Sequence, residues 1–466
     1  MVCRFRERRP LGGIALAFTL LAGAASVPGQ AGQNQQHWVG TWSASTTERV
    51  DQPAAAAPTA PASANAPPLV IPPAVLAVAP GQVLPVGTQS PLHFNEQTLR
   101  QIVHISLGGS RLRVVLANTF GTVPLTIGAA QVALRDKDAA IVPRSNRVLT
   151  FGGSATTAVA AGAILVSDPV DLAVPAFADL AIDLYLPADT AAMNSPVTIH
   201  PAASQTSYVS TRGNHAGAAS LPVQTTTAYR RDGTPGGSWF FLARVDVMAP
   251  TRAGAIVTIG DSLTDGARSG TDTNNRWPDH LASRLGRAGM QMGVLNAGIG
   301  GNRVLSDVVG PSALARFDRD VLAQPGATHV VVLEGINDIG QARQNASPAA
   351  TDLIAGHRQM IERAHARGLK IYGATLTPFE GANYWTREGE AKRQSVNDWI
   401  RTSKQYDAVL DFDAAVRDPS QLTKLLAEFD SGDHLHLNAA GYQALANSID
   451  LALFQFHLTA QLKDNR

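Results

Sequence analysis

The chain has 466 residues, more than a single typical domain holds, so we expect two domains. Its 38 basic and 37 acidic residues leave a net charge of +1, which gives no electrostatic reason to expect nucleic acid or an anionic membrane surface as a partner. The hydrophobic content of 45% is ordinary for a soluble globular protein.

The N-terminal segment, residues 1–31, has the three parts of a secretory signal peptide. Four arginines between Arg4 and Arg9 precede an apolar run from Leu11 to Leu21, and small residues follow as a cleavage site. We therefore expect a secreted or periplasmic protein with no stable membrane insertion after cleavage; a retained N-terminal anchor is the alternative. Cleavage would remove Cys3, the single cysteine of the chain, so we expect no disulfide.

Residues 37–248 are expected to form an all-β domain, a sandwich or a jelly-roll-like structure. Short stretches of alternating apolar and polar residues follow one another here, separated by Gly, Pro and Asn. Two of these stretches, 100–107 and 111–117, flank a Gly-Gly-Ser turn and predict a β-hairpin. Ala and Pro dominate residues 52–91, which favour an extended conformation and are interpreted as a surface insertion or linker.

From residue 253 to residue 456 the pattern changes to strands that alternate with helices, which predicts a parallel sheet covered by helices on both faces. The predicted strands are Ala255–Ile259, Met292–Asn296, His329–Leu333, Lys370–Ala374 and Ala408–Asp411. The predicted helices are Trp277–Arg287, Ser312–Leu322, Ala349–Arg367, Arg387–Lys404 and Ala439–Phe454. We expect Asn438 to cap the last helix.

Four loops at predicted strand ends or beside the last helix carry polar residues suited to catalysis. They are Gly260-Asp-Ser-Leu263, Asn296-Ala-Gly-Ile-Gly-Gly-Asn302, Glu334-Gly-Ile-Asn-Asp338 and Asp433-His-Leu-His-Leu-Asn438. Open α/β sheets bind their ligands beyond the carboxyl ends of the strands. We therefore expect these loops to meet at one site.

These four elements, in this order, resemble the motifs of the GDSL, or SGNH, hydrolase family. The resemblance covers residues 253–456 and implies a flavodoxin-like three-layer α/β/α fold with carboxylic ester hydrolase activity. It implies that Ser262 is the nucleophile and that Asp433 and His436 complete a catalytic triad. It also implies an oxyanion hole formed by Ser262, Gly301 and Asn337.

These residue types suit that chemistry. A serine hydroxyl is a poor nucleophile until an imidazole such as that of His436 accepts its proton. A carboxylate such as that of Asp433 orients the ring and stabilises the imidazolium. The backbone N–H groups of Ser262 and Gly301 and the side-chain amide of Asn337 would supply three donors to the oxyanion of the tetrahedral intermediate.

Each of these residues also has a purely structural interpretation. Ser262 and Asp433 could cap helices, Asn337 could form an Asx-turn, Gly301 could belong to an ordinary turn, and His436 could be a surface histidine. His434 competes with His436 as the base, and only the family spacing Asp-x-x-His selects His436.

Other residues near the motifs have less specific roles. Asp261 is expected to stabilise the turn before Ser262, and Asp265 to cap the following segment. The aromatic residues Phe379, Tyr384 and Trp385 either contact an acyl or sugar group or form a local hydrophobic cluster. The sequence shows no metal-ligand constellation and no phosphate-binding loop, so we expect neither a metal nor a cofactor.

The stretches Trp38-Val-Gly-Thr-Trp-Ser-Ala44 and 98–109 resemble a β-domain that precedes the hydrolase domain in secreted family members. Together with the export signal, this leads us to expect a secreted esterase that acts on acetyl or other short-chain esters of carbohydrate, either small molecules or polysaccharide. The alternatives are a lipolytic acylhydrolase such as a lysophospholipase and, in a different class, a non-catalytic carbohydrate-binding protein. The sequence does not predict an oligomeric state.

Overall fold

The computed structural model describes residues 35–49, 93–227, 237–341 and 347–455. The predicted signal peptide, residues 1–31, and the predicted Ala/Pro-rich insertion, residues 52–91, lie outside these ranges. Within the described ranges, no helix is both long and apolar enough to cross a lipid bilayer.

The first part of the chain consists of antiparallel strands. They are β1 (Gln36–Ser43), β2 (Thr47–Arg49), β3 (Gln97–His104), β4 (Gly109–Ala117), β5 (Leu125–Ile127), β6 (Ala129–Leu134), β7 (Arg147–Val148), β8 (Thr157–Val159), β9 (Ile164–Val166), β10 (Val170–Val174), β11 (Asp179–Leu186), β12 (Val197–Pro201), β13 (Tyr208–Arg212), β14 (Val223–Thr226), β15 (Ser238–Phe240) and β16 (Leu242–Pro250). One sheet has the order β1-β16-β4-β10 with β9 on β4, and a second has the order β14-β13-β3-β11-β6-β7. Side chains of both sheets, Leu99 and Leu112 among them, belong to one hydrophobic core, as packed sheets require.

The predicted β-hairpin at residues 100–117 is wrong. Strand β3 pairs with β11 and β13, whereas β4 pairs with β10 and β16, so the two strands lie in different sheets. Their connection crosses between the sheets because it binds β1: the N–H of Ser106 donates to the carbonyl of Thr41 at 3.0 Å, and the N–H of Leu107 donates to Thr41 Oγ1 at 2.7 Å. An alternating pattern specifies which residues share a face and not which strand is the partner, so it could not separate the two arrangements.

The second part of the chain forms a parallel sheet with helices on both faces. Its sheet strands are β17 (Gly254–Gly260), β18 (Met292–Gly298), β19 (Ala327–Leu333), β20 (Lys370–Ala374) and β21 (Ala408–Leu410), and β22 (Arg417–Asp418) pairs with β23 (Gln421–Leu425). The α-helices are α1 (Ser262–Asp265), α2 (Trp277–Arg287), α3 (Ala313–Phe317), α4 (Ile336–Gly340), α5 (Ala350–His365), α6 (Arg387–Thr402), α7 (Phe412–Val416) and α8 (Ala439–Ser448). A π-helical turn continues α3 at Asp318–Leu322.

The strand order β18-β17-β19-β20-β21 is that of a flavodoxin-like sheet, and every neighbouring pair is parallel. Every residue of β17 is buried, as a central strand covered on both faces must be. Helix α2 contacts α8, and α5 contacts α6. The predicted fold class is confirmed, and the five predicted strands agree with the observed bounds to within about two residues.

The last predicted helix is shorter than expected. Helix α8 ends at Ser448 because Ile449 is extended, with φ −79° and ψ 125°. Asp450 then accepts a hydrogen bond from the N–H of Ala452 at 2.9 Å and starts a separate 3-10 turn at Leu451–Phe454. The N-terminus of α8 is as predicted, since Asn438 Oδ1 accepts from the N–H of Gly441 at 3.0 Å.

The antiparallel and parallel parts share one hydrophobic core. Strand β1 lies so close to β18 that a Cβ on Gly40 would be 2.8 Å from Leu295 Cδ1, and a Cβ on Gly293 would be 2.0 Å from the carbonyl oxygen of Gly40. Position 293 therefore needs glycine because the backbone of β1 approaches it closely, whereas a side chain at position 40 would meet the side chain of Leu295. The division of the chain into domains at 37–248 and 253–456 stays a prediction.

Candidate active site

Ser262 begins helix α1, directly after the central strand β17. Asp261 caps this helix, because its Oδ1 accepts from the N–H of Leu263 at 2.9 Å. Asp261 thus stabilises the turn as predicted, and Ser262 is not the N-cap. Gly266 ends α1 after one turn with φ +93°, in the left-handed region that favours glycine. The hydroxyl of Ser262 is consequently available to other partners.

Ser262, His436 and Asp433 form a continuous chain of hydrogen bonds. His436 Nε2 lies 2.9 Å from Ser262 Oγ, and His436 Nδ1 lies 2.8 Å from Asp433 Oδ2. When Asp433 is ionised, Nδ1 carries the ring proton and donates it, which leaves Nε2 to accept from the serine hydroxyl. This is the arrangement in which an imidazole activates a serine as a nucleophile.

The Asp-x-x-His loop explains why His436 rather than His434 reaches Ser262. Asp433 Oδ1 accepts from the N–H groups of His436 at 2.8 Å and Leu435 at 3.1 Å, which folds the loop back on its own carboxylate. His434, at φ +60°, places its ring against Asp430 instead, with Nδ1 2.6 Å from Oδ2, and its side chain is 54% exposed. The alternative base His434 therefore does not contact Ser262.

The pKa of Asp433 lies below the usual range of an aspartate. Burial raises this pKa, but the hydrogen bonds from the His436 ring and from the backbone N–H groups of His436 and Leu435 outweigh burial. Arg268 adds a positive charge 3.6 Å from Asp433 Oδ2. Asp433 is therefore ionised at neutral pH, as the orientation of the His436 ring requires.

The Gly300–Gly301 turn lies beside Ser262. A Cβ on Gly300 would be 3.9 Å from Ser262 Cβ, and Gly301 has φ +81°, where a side chain would strain the backbone. The N–H of Ser262 has no acceptor within its own helix because Ser262 is the first residue of α1. The turn after β18 and the start of α1 therefore lie side by side.

Asn337 is held against the same turn. Its Nδ2 donates to the carbonyl of Asn302 at 3.0 Å, and its Oδ1 accepts from Gln341 Nε2 at 2.8 Å. These two contacts set which end of the amide faces the turn. An amide nitrogen carries two N–H groups, so one can hold Asn302 while the other donates to an oxyanion. The five predicted site residues therefore lie together at the carboxyl ends of β17, β18 and β19, and their catalytic roles stay predictions.

We predicted that Asp265 caps the following segment, but it does not. Its Oδ2 accepts from the N–H of Gly300 at 3.1 Å, and its Oδ1 lies 3.1 Å from His200 Nε2. Asp265 therefore holds the turn beside Ser262. The sequence carried no sign of this role, because Gly300 and His200 are distant from Asp265 along the chain.

Arg316 is a second residue that the sequence analysis missed. Its side chain is fully buried and donates to the carbonyls of Gly260 at 3.0 Å and Ala297 at 2.6 Å, and to Asn302 Oδ1 at 3.0 Å. One guanidinium thus joins the ends of β17 and β18 to the turn between β18 and α3. A single arginine in a helical pattern predicts no such partners, because they come from three other segments.

The aromatic residues after β20 favour the hydrophobic-cluster interpretation. Phe379 is completely buried in the core, and its ring centroid lies 6.0 Å from that of Tyr384. Tyr384 covers helix α4, since a Cβ on Gly340 would lie 2.0 Å from Tyr384 Cδ2. Trp385 is partly buried against the same core.

Two buried carboxyl groups lie behind the Ser262 turn. Burial raises the pKa of Asp261 to about 7, although the hydrogen bond from the N–H of Leu263 opposes the shift. Burial also raises the pKa of Glu334 well above its usual range, and the negative charge of Asp261 adds to this. Arg316 works against both shifts, with its guanidinium 3.8 Å from Glu334.

The Asp261→Asn substitution is expected to flatten the dependence of stability on pH. The pKa of Asp261 rises on folding from 3.8 to about 7, so between these values unfolding releases a proton and the free energy of unfolding falls as the pH rises. This contribution reaches about 1.4 kcal/mol per pH unit. Asparagine keeps the oxygen that accepts from Leu263 and cannot ionise. The free energy of unfolding, measured by urea denaturation, should fall less between pH 4.5 and pH 7.5 in the variant than in wild type. An equal fall would contradict the buried, protonated Asp261.

Comparisons with known proteins identify a family that the parallel part of the chain resembles. Residues 258–444 match the model of the GDSL-like lipase/acylhydrolase family, and this range contains all five predicted site residues. None of the curated proteins compared with the chain matches it.

Several solved structures are similar to the chain. An acetyl xylan esterase from Geobacillus stearothermophilus is 23% identical, covering 42% of this chain and 94% of that chain with a TM-score of 0.33. A lipase/acylhydrolase from Enterococcus faecalis is 19% identical, covering 42% and 92% with a TM-score of 0.34. A GDSL-like lipase from Bacteroides thetaiotaomicron is 20% identical, covering 43% and 87% with a TM-score of 0.33. Residues 258–444 thus match a GDSL-like lipase/acylhydrolase domain, and this match indicates a carboxylic ester hydrolase.

Proposed function

We propose that the protein is a secreted serine esterase that hydrolyses acetyl or other short-chain esters on carbohydrate through an acyl-enzyme on Ser262, without a cofactor. One observation carries the proposed mechanism: the unbroken chain from Ser262 Oγ through His436 to Asp433, with distances of 2.9 and 2.8 Å. Export is proposed on the sequence of residues 1–31, which has the parts of a signal peptide.

In the first half of the reaction, Ser262 Oγ attacks the ester carbonyl carbon while its proton passes to His436 Nε2. Asp433 stabilises the imidazolium that results, since its carboxylate accepts from Nδ1. The carbonyl oxygen becomes an oxyanion that accepts hydrogen bonds from Ser262, Gly301 and Asn337. Collapse of the tetrahedral intermediate breaks the bond to the alcohol oxygen, which takes the proton from His436 and leaves.

In the second half, water attacks the acyl-enzyme. His436 accepts a proton from this water, and the same three donors stabilise the second tetrahedral intermediate. Breaking the bond to Ser262 Oγ returns the proton to the serine and releases the carboxylic acid. Atoms and protons balance without a metal or a redox partner.

A small apolar side chain beside the oxyanion turn supports a short acyl group. Val309 lies against Gly301, where a Cβ would be 3.1 Å from Val309 Cγ2, and the Val309 side chain is still 38% exposed. An exposed valine against the oxyanion turn suits a methyl or other short acyl chain. The carbohydrate part of the proposal is supported by the antiparallel part of the chain together with the export signal.

Chain-length preference tests the substrate class. We expect kcat/KM to be highest for p-nitrophenyl acetate and to fall by at least about 10-fold towards the palmitate ester. One methylene group that does not fit its pocket can already cause a difference of about this size. Acetylated xylan should be deacetylated faster than lysophospholipid is hydrolysed. Preference for palmitate and lysophospholipid would instead favour a lipolytic acylhydrolase. Binding to xylan without turnover of any ester would favour the non-catalytic alternative.

Replacing Asn337 by Ala is expected to lower kcat by about 10²–10³-fold with little change in KM. The reason is that the amide would donate to an oxyanion that exists only in the transition state and intermediate. The measurement is steady-state hydrolysis of p-nitrophenyl acetate by folded variant and wild-type protein. A matched rise in KM at unchanged kcat would show that Asn337 binds the ground state instead.

A further inference from the structure

A chain of hydrogen bonds leads from the antiparallel part of the protein to the turn beside Ser262. His200 Nδ1 lies 2.7 Å from the carbonyl oxygen of Ser45, and His200 Nε2 lies 3.1 Å from Asp265 Oδ1. Asp265 Oδ2 in turn accepts from the N–H of Gly300 at 3.1 Å. Ser45, His200 and Asp265 are at most 5% exposed, so water does not compete for these contacts.

The contacts of His200 leave its ring little freedom. Nδ1 faces a carbonyl oxygen, which can only accept, so Nδ1 carries a proton and donates. Nε2 faces Asp265 Oδ1 at 3.1 Å. The ring also packs against Trp239, with centroids 5.4 Å apart. Both ring nitrogens of His200 therefore have hydrogen-bonding partners, and one face of the ring packs against Trp239.

A second contact joins the same segment to the site. Ser45 Oγ accepts from Arg316 at 3.1 Å, and Arg316 holds the carbonyls of Gly260 and Ala297. Ser45 thus binds His200 through its carbonyl and Arg316 through its hydroxyl. The turn beside Ser262 is held from two directions by residues anchored at the end of β1.

We propose that His200 is a positioning residue for the oxyanion hole, so that the antiparallel part of the protein completes the active site. The inference rests on the proposed function, because it takes the N–H of Gly301 to be an oxyanion donor. Two adjacent glycines give this turn wide backbone freedom, and the bond from Gly300 to Asp265 restricts it. A misplacement of about 1 Å at a catalytic group costs about 10²-fold in rate.

A matched pair of substitutions separates positioning from simple packing. His200→Asn places an amide near the position of Nδ1 and leaves Asp265 without its partner. His200→Gln extends to the position of Nε2 and keeps a donor to Asp265. We expect His200→Asn to lower kcat by about 10- to 100-fold at nearly unchanged KM, and His200→Gln to recover a substantial part of that loss.

A transition-state analogue gives an independent readout. A trifluoromethyl ketone, which forms an oxyanion when Ser262 adds to it, should bind His200→Asn more weakly by about the factor lost in kcat. A purely structural role would lower the melting temperature of both variants without this loss of affinity in the folded protein. That result, or equal kcat in wild type and both variants, would overturn the inference.

His365→Asn is the control. His365 also pairs with an aspartate, Asp407, at 2.9 Å, but Asp407 lies at the amino ends of β20 and β21, opposite the site. The kcat of His365→Asn should equal that of wild type. If His200→Asn does not fold, Asp265→Ala and Asp265→Asn replace the pair, since asparagine can still accept from Gly300 and donate to His200.

Ser262→Ala in the same assay distinguishes the two proposals. An active Ser262→Ala variant would contradict the proposed function itself. An inactive Ser262→Ala variant together with fully active His200 variants would contradict only the positioning role of His200.

Discussion

Ser262→Ala is expected to lower kcat for p-nitrophenyl acetate by about 10⁴-fold or more, because no other group can form the acyl-enzyme. Ser262 Oγ is the atom that His436 Nε2 contacts at 2.9 Å. Removing this one oxygen leaves the backbone turn in place, since Asp261 caps α1 through its own side-chain oxygen. The melting temperature should therefore change little.

Ser395→Ala serves as the control for this variant. Ser395 is exposed on α6 and donates only to the carbonyl of Ala391, four residues earlier in its own helix, so kcat should remain that of wild type. Turnover by Ser262→Ala within about tenfold of wild type would contradict the assignment of the nucleophile. A loss of activity accompanied by unfolding would be resolved by labelling wild type with an organophosphonate, which reacts with an activated serine, and identifying the labelled residue by mass spectrometry.

His436→Ala is expected to have a similarly large effect, about 10⁴-fold or more in kcat, and His434→Ala almost none. The two histidines are two residues apart, yet only His436 contacts Ser262; His434 contacts Asp430 and is 54% exposed. The two variants thus carry the same His→Ala change in the same loop and differ only in whether the histidine contacts Ser262.

The reverse result would identify His434 as the base. In that case His434→Ala would lose activity and His436→Ala would keep it, and the loop would have to rearrange on substrate binding. A loss in both variants with an unchanged melting temperature would indicate that the loop as a whole, rather than one ring, sets the rate. Neither outcome agrees with the contacts of the folded protein.

Much of the parallel half of the fold could be predicted because its signals are local. A run of apolar residues such as 255–259 is long enough for one buried strand, and the Gly that follows it ends the strand. The same reasoning located β18, β19, β20 and β21 to within about two residues. Strand pairing in the antiparallel half was harder, as the wrong hairpin at residues 100–117 shows, because alternation specifies a face and not a partner.

The sequence by itself determined the order of the four motifs and the residue types available for ester hydrolysis. It also indicated that those motifs lie at strand ends, because each strand can be recognised from the apolar pattern of about ten neighbouring residues. Only the tertiary structure decided that His436 and not His434 faces Ser262, that Asp265 holds Gly300, and that Ser45 and His200 reach this turn. Those contacts join residues up to 271 positions apart, as between Ser45 and Arg316, so they depend on how the two halves pack rather than on any local pattern.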